Sequence, residues 1–251
     1  MTLEPNTPLE KIEVFKIYEG ENVKRMPDLI GDGRVPMNFA RIMRRRLDVL
    51  DSAFPENVRD WWWTNTVYSG DGARRSPDGK LKIAYDSATL RGINPGSALS
   101  GGVLTLTPEQ YAAGDGPEFT SEQVAKYTGR FHDGVEFRTG ERAFFNLAMQ
   151  NPIYVDGLAR GDRQLAREYA QAVFTLGKQR FRYDEALGIY APHVQNRHVE
   201  LLWYAGPLGT DDRCSARGDI VLDNYYGLLV GEAPEASAAR DQTHLETLTT
   251  K

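Results

Sequence analysis

Cysteine and long apolar runs are nearly absent from this chain of 251 residues. The single cysteine, Cys214, excludes an internal disulfide and any thiolate cluster for zinc or an iron–sulfur centre. No uninterrupted apolar run approaches the length of about eighteen residues that a membrane helix needs. The first residues, MTLEPNTPLEKIEVFK, also lack the basic start and apolar core of a signal peptide. We therefore expect a cytoplasmic or intravirion protein with no membrane partner.

Common catalytic motifs are also missing from the sequence. There is no GxSxG nucleophile turn, no GxxxxGK phosphate loop and no HExxH zinc motif. His193 and His198 lie in the stretch HVQNRH, and Asp211 and Asp212 follow. These four side chains are the candidates for a metal site, although this histidine spacing matches one face of neither a helix nor a strand. No cofactor is expected.

The charge of the chain is acidic on average but unevenly distributed. A formal net charge of −5 is unfavourable for coating nucleic acid through bulk electrostatics. Residues 24–46, however, contain seven basic and two acidic side chains. An anionic partner would meet this segment first.

The hydrophobic pattern predicts an α+β protein. Strands are expected at residues 12–18, within HVELLWYAG and within GDIVLDNYYGLLVG, and a hairpin is expected at residues 60–85 around the turn SPDG. Helices are expected at residues 36–51 and, capped by Asp162, from Arg163 to about Tyr183. This pattern favours one mixed domain over residues 1–231, with a mainly antiparallel sheet packed on the long central helix. A subdivision near residues 86–140 is an alternative, and residues 232–251 are predicted to form a flexible tail.

Several irregular loops rich in glycine and aspartate complete the predicted fold. The triplet Gly-Asp-Gly occurs at residues 31–33, 70–72 and 114–116. Glycine tolerates positive φ and aspartate bonds its local backbone, so all three triplets are interpreted as turns. Calcium ligation is the alternative, but no stretch has the spaced acidic pattern of an EF-hand.

The helix predicted at residues 36–51 contains four arginines. Arg41, Arg44 and Arg45 fall opposite the apolar stripe and are predicted to face solvent. Arg46 falls on the apolar side. It must therefore reach out to solvent, pair with a buried carboxylate, or face a ligand or second subunit. This position makes Arg46 a candidate binding residue.

The stretch DWWWTNTVYSGDGARRSPDGK is the second candidate for a binding site. If residues 61–68 form a strand, alternation places Trp61 and Trp63 in the core and Trp62 with Tyr68 on a mixed face. The hairpin beyond carries Arg74, Arg75, Lys80 and Lys82 around its turn. A sheet face half covered by a neighbouring element is the favoured interpretation of this mixed face. The alternative is a binding platform, because an exposed Trp62 beside a basic tip would suit base stacking with phosphate contacts, or an anchor inside a partner.

These observations favour a non-catalytic binding or assembly protein, such as a subunit of a viral or phage particle or of a larger complex. A protein partner or self-association as a homo-oligomer is expected, and nucleic-acid binding is a further hypothesis. The alternative is a metal-dependent hydrolase or nuclease whose site is assembled from dispersed carboxylates and histidines.

Overall fold

The computed structural model describes residues 14–128, 147–182, 186–209 and 213–234. Within these ranges, eleven strands form one sheet. The strands are β1 (Phe15–Glu19), β2 (Val35–Pro36), β3 (Val67–Arg75), β4 (Leu81–Ala84), β5 (Leu99–Ser100), β6 (Val103–Leu106), β7 (Glu118–Phe119), β8 (Ile189–Tyr190), β9 (His198–Ala205), β10 (Ala216–Arg217) and β11 (Leu228–Glu232).

Helices connect and cover these strands. They include α1 (Asn22–Gly31), α2 (Phe39–Asp48), α3 (Glu56–Thr64), α4 (Ala88–Arg91), α5 (Pro108–Ala112), α6 (Ser121–Tyr127), a π-helix (Ile153–Leu158) and α7 (Arg163–Phe181). None of the helices in the described ranges is both long and apolar enough to cross a bilayer.

The strand order across the sheet is β1-β11-β3-β9-β10-β8. The pairs β3–β11 and β8–β10 are parallel, whereas the long neighbours β3 and β9 and the hairpin of β3 and β4 are antiparallel. Strand β3 is buried along its whole length, and β9 is buried from its second residue onwards. Strands covered on both faces lose the alternating pattern of a half-buried sheet. The predicted α+β fold with a mainly antiparallel sheet is confirmed.

The long helix α7 lies at the centre of the larger hydrophobic cluster. Its cap is the predicted one, because the Asp162 carboxylate accepts a hydrogen bond of 2.9 Å from the Leu165 amide. Tyr169 and Val173 are buried in the core, and α7 packs against α2. Helix α2 begins after Asn38, whose side chain accepts a bond from the Arg41 amide at 3.0 Å.

The tryptophan stretch forms a helix, so the strand predicted at residues 61–68 is wrong before Val67. All three tryptophans lie on α3 and are buried. Trp62 makes edge-to-face contacts with Trp61 and Phe15, with ring centroids 5.0 and 5.3 Å apart, and Trp63 stacks on Tyr169 at 5.8 Å. Successive helical residues are about 100° apart, so three tryptophans cover more than half of the helix circumference. Burial on several sides outweighs the strand preference of these aromatic residues.

The glycine–aspartate triplets do not share one structure. Positive φ angles at Gly33, Gly114 and Gly116 agree with the turns predicted at residues 31–33 and 114–116. The turn predicted at residues 70–72 is wrong, since this triplet lies inside β3, where the pairing with β9 shifts register. The SPDG turn does join β3 to β4, and the Gly79 amide bonds the Ser76 carbonyl at 3.0 Å.

The domain boundaries stay predictions. Strand β11 extends to Glu232, one residue beyond the predicted domain end, and the remainder of the predicted tail lies outside the described residues from residue 235. The possible subdivision near residues 86–140 falls partly outside them as well, because residues 129–146 are not described.

Candidate binding surface

Arg46 is buried and saturated with internal hydrogen bonds. Nε donates to the Trp62 carbonyl at 2.8 Å, and Nη1 donates to the Tyr169 hydroxyl at 2.8 Å and the Gly206 carbonyl at 2.9 Å. Nη2 donates to the carbonyls of Asn65 and Ala205 at 3.0 and 3.2 Å. Its partners are therefore carbonyl and hydroxyl oxygens, and the expected carboxylate partner is wrong. Arg46 ties α2 to the end of α3 and to the end of β9.

The other arginines of α2 match the predicted solvent-facing row only in part. Arg44 is exposed and pairs with Asp162, which joins α2 to the start of α7. Arg45 is buried, with its guanidinium 4.6 Å from the Phe15 ring centroid and 5.0 Å from that of Phe54. Arg45 contributes to the core through cation–π contacts, so the prediction of a solvated side chain is wrong for it.

The structure buries both aromatic residues that were assigned to the mixed face, Trp62 and Tyr68. Trp62 is fully enclosed in the core. Tyr68 lies on β3 with its ring edge against Tyr204, at a centroid distance of 5.5 Å. Burial raises the pKa of the Tyr68 phenol to about 12. The alternative of an exposed Trp62 is therefore wrong in this structure, and any role of Trp62 and Tyr68 in binding stays a prediction.

Most of the predicted basic hairpin tip also faces inwards. Lys80 is exposed and pairs with Asp78 at 3.2 Å. Arg74, Arg75 and Lys82 are buried, and the Lys82 ammonium donates to the Ala112 carbonyl. Three of the four basic residues are thus buried, and Arg74 and Lys82 bond to interior oxygens. Partner binding through any of the four stays a prediction.

Arg74 belongs to a buried ion pair at the centre of the sheet. Its Nε bonds Glu200 Oε1 at 2.9 Å, and the Ser87 hydroxyl donates to the same oxygen at 2.6 Å. Burial raises the pKa of the Glu200 carboxyl, and Arg74 opposes that change. Gly72 faces this carboxylate so closely that a Cβ atom there would collide with it. Glu200 could not be identified from the sequence, because nothing local marks a strand residue as the partner of an arginine far away in the chain.

Asp71 forms a second interior site, also missed from the sequence. Its carboxylate accepts bonds from the amides of Phe39 at 2.8 Å and Asp86 at 2.9 Å, and from Arg160 at 2.7 Å. Arg160 also bonds the Asp86 carboxylate at 2.8 Å, and its guanidinium lies 4.4 Å from the Tyr85 ring centroid. Burial raises the pKa of the Asp71 carboxyl, whereas Arg160 and the two amides lower it. This network fastens the segment before α7 to β3.

The candidate metal ligands are not assembled in the described part of the chain. His193 is exposed, whereas His198 is half-buried with its ring 4.7 Å from that of Tyr111. Asp211 and Asp212 lie outside the described residues. Within residues 14–128, 147–182, 186–209 and 213–234, no group of three or more His, Cys, Asp or Glu side chains is placed to hold a metal ion.

A pair of exposed tyrosines stands out on the surface. Tyr225 and Tyr226 are 62% and 77% exposed, the highest values among the large hydrophobic residues described. Their ring centroids are 4.4 Å apart and their hydroxyls 3.1 Å apart. The hydrogen bond between the hydroxyls raises the pKa of Tyr225. Both rings present an apolar face and a hydroxyl group to solvent.

The tyrosine pair lies on a well-anchored loop, residues 218–227, which we call the tyrosine loop. Leu222 is buried in the smaller hydrophobic cluster, and its amide donates to the Gly102 carbonyl at 2.7 Å. The Asn224 side chain accepts from the Tyr226 amide at 2.8 Å. Gly227 packs against the Tyr68 ring with no room for a side chain. The loop thus holds its two tyrosines on a fixed backbone.

From the sequence, strands were expected within GDIVLDNYYGLLVG without a defined position for these tyrosines. The strand begins only at Leu228, after the loop. Asn224 and Gly227 flank the pair, and both residue types favour turns. This local signal was sufficient to predict that the tyrosines precede the strand.

Comparison with known proteins is informative about the fold. No family model matches the sequence, and no curated protein matches it either. A solved structure from work on the accommodation of massive sequence variation in Nanoarchaeota by the C-type lectin fold is similar, with a TM-score of 0.62. The match covers 87% of this chain and 97% of that one at 12% sequence identity. At this identity the likeness shows the fold alone.

Proposed function

We propose that the protein is a non-catalytic binding protein that recognises a protein partner through the tyrosine loop. The observation that carries the proposal is the exposed pair Tyr225 and Tyr226 on an anchored backbone. Tyrosine is enriched at protein interfaces, because it supplies a large contact area with few rotatable bonds and a hydroxyl for hydrogen bonding. A loop that is already ordered loses little conformational entropy on binding.

The fold comparison supports a division between scaffold and surface. The similar structure is described in terms of the C-type lectin fold accommodating massive sequence variation. A fold with that property can keep its core while the side chains of a surface loop change. In this chain Leu222 belongs to the core and Tyr226 to the surface, although they are neighbours in one loop.

The biological setting is a finer part of the same proposal. A binding surface of this kind suits a subunit of a viral or phage particle, a component of a larger complex, or a homo-oligomer. The tyrosine pair favours a protein over nucleic acid as partner, because no basic residue lies in residues 218–227.

A retention experiment tests the proposal. The full chain is immobilised and the proteins that it retains from its native source are quantified, alongside the double variant Tyr225→Ser/Tyr226→Ser. A matched control, Phe181→Ser, removes an exposed aromatic ring on α7 that is distant from the loop in sequence. We expect the double variant to lose a specific protein that the control retains, at unchanged stability. Equal retention by all three proteins would reject the tyrosine loop as the binding surface.

A further inference from the structure

Arg75, the last residue of β3, is a buried cation without hydrogen-bond partners. Only 9% of the residue is exposed, and neither Nε nor Nη1 has a partner among the described residues. Burial lowers the pKa of Arg75. Arg46 and Arg74, which are buried more deeply, use their donors fully on protein oxygens. An enclosed guanidinium with free donors is costly, so its missing partner requires an explanation.

The guanidinium of Arg75 ends beside the turn between β3 and β4, close to two exposed residues. Nη2 lies 3.9 Å from the position that a Cβ atom would take at Gly79, in the turn between β3 and β4. Ser121 at the start of α6 and Val194 lie 3.1 and 3.8 Å from the same position. Val194 is itself 52% exposed. A small molecule or a partner side chain that reaches the guanidinium from this side therefore has to displace the turn.

Among the described residues, no carboxylate is hydrogen-bonded to Arg75. The acid of the turn, Asp78, is engaged by Ser76 and Lys80. Burial raises the pKa of the nearby Tyr111 hydroxyl, so this group brings no negative charge to Arg75 at neutral pH. A partner that completes this site must consequently bring negative charge and hydrogen-bond acceptors.

We propose that Arg75 anchors a site for a small oxyanion, a carboxylate or a phosphate group, at the turn between β3 and β4. The planar guanidinium presents pairs of parallel N–H donors that match two oxygens of such a group, and charge-assisted bonds of this kind are strong. Chloride offers no second acceptor and fits poorly. The site is distinct in sequence from the tyrosine loop and does not depend on its function.

Stability titrations of the full chain test this site. Unfolding is followed in increasing inorganic phosphate, in increasing acetate, and in chloride at equal ionic strength. The wild-type protein should gain stability from at least one oxyanion relative to chloride, in proportion to the logarithm of its concentration above Kd. Arg75→Met should abolish this gain. Arg75→Lys, which keeps the charge and loses the fork, should weaken binding by about tenfold or more. The control Arg163→Met, at an exposed arginine, should retain the wild-type response.

Each outcome of these titrations bears on the proposal. A gain from phosphate alone supports a phosphorylated ligand, and a gain from acetate alone supports an acidic side chain or carboxylic acid. A wild-type response equal to that in chloride overturns the site, and so does an oxyanion response that persists in Arg75→Met. If Arg75→Met does not fold, the proposal is tested by two other results, the wild-type response to oxyanions relative to chloride and the weaker response expected of Arg75→Lys. Loss of partner binding in the tyrosine-loop variant leaves these titrations unaffected.

Discussion

Replacing Arg46 with methionine would remove a charged side chain that is 0% exposed and has five internal hydrogen bonds. Methionine has a similar length but no donor. The substitution would leave the carbonyls of Trp62, Asn65, Ala205 and Gly206 without this donor inside the core. These carbonyls belong to α3, its following loop and the end of β9, so three parts of the fold lose a common link.

The expected loss of stability follows from opposing contributions. A buried polar group left unsatisfied costs about 1–3 kcal/mol, so five such groups would cost roughly 5–15 kcal/mol if their effects were additive. Groups in one network are not additive, and removing a buried charge returns several kcal/mol of desolvation. We expect a net loss of about 3–5 kcal/mol for Arg46→Met, a large share of the total stability of about 5–15 kcal/mol that is typical of a domain.

Urea unfolding measures this loss directly. Arg46→Lys should be less damaging than Arg46→Met, because an ammonium can still donate to some of the carbonyls. The matched control Arg44→Met removes an exposed ion pair with Asp162 and should cost no more than about 1 kcal/mol. A stability of Arg46→Met within about 0.5 kcal/mol of the wild-type value would refute the structural role of Arg46.

Three further perturbations test other parts of the structure. Trp62→Ala should lower the unfolding free energy by about 3–5 kcal/mol, because it opens a cavity in the core; a loss below about 1 kcal/mol would contradict its burial. Gly72→Ala should destabilise the fold by forcing a methyl group against the Glu200 carboxylate. Its control, Gly31→Ala, lies in open space on α1 and should be neutral or stabilising. Equal urea midpoints for the two variants would contradict the close contact between Gly72 and Glu200. Burial raises the pKa of Tyr68 to about 12. The protonated phenol therefore contributes to the free energy of unfolding in full below about pH 10, and this contribution is lost as the pH rises through about 12. Tyr68→Phe should accordingly lose less stability than wild type in that alkaline range, and an unchanged pH profile would argue against the raised pKa.

Local sequence signals were sufficient for elements whose ends and faces are fixed by neighbouring residues. The cap formed by Asp162, the SPDG turn and the apolar stripe with Phe39 and Ile42 depend on residues within one or two turns of each other. Such signals come from interactions between residues that are close in sequence, so they do not depend on the tertiary fold. The α+β class and the antiparallel sheet could be predicted from them.

Features that depend on distant residues could not be predicted in this way. Trp62 lies in a helix, where its ring packs on Phe15. Asp71 lies in a strand, where Arg160 and two amides donate hydrogen bonds to its carboxylate. Arg74 faces inwards because Glu200 lies opposite on β9. In each case a tertiary contact overrides the preference of the local sequence. The sequence therefore did not reveal that most of the basic hairpin residues and Trp62 are buried, and it did not identify the tyrosine loop as an exposed surface.

The central claim, that the tyrosine loop contacts a protein partner, is tested most directly by site-specific photo-cross-linking. A benzophenone amino acid is placed at position 226 in one sample and at the exposed position 181 in another, and cross-linked peptides are identified after irradiation with the retained protein. We predict cross-links to one contiguous surface of the partner from position 226 and none from position 181. Cross-links from position 181 alone, or from neither position, would contradict the claim.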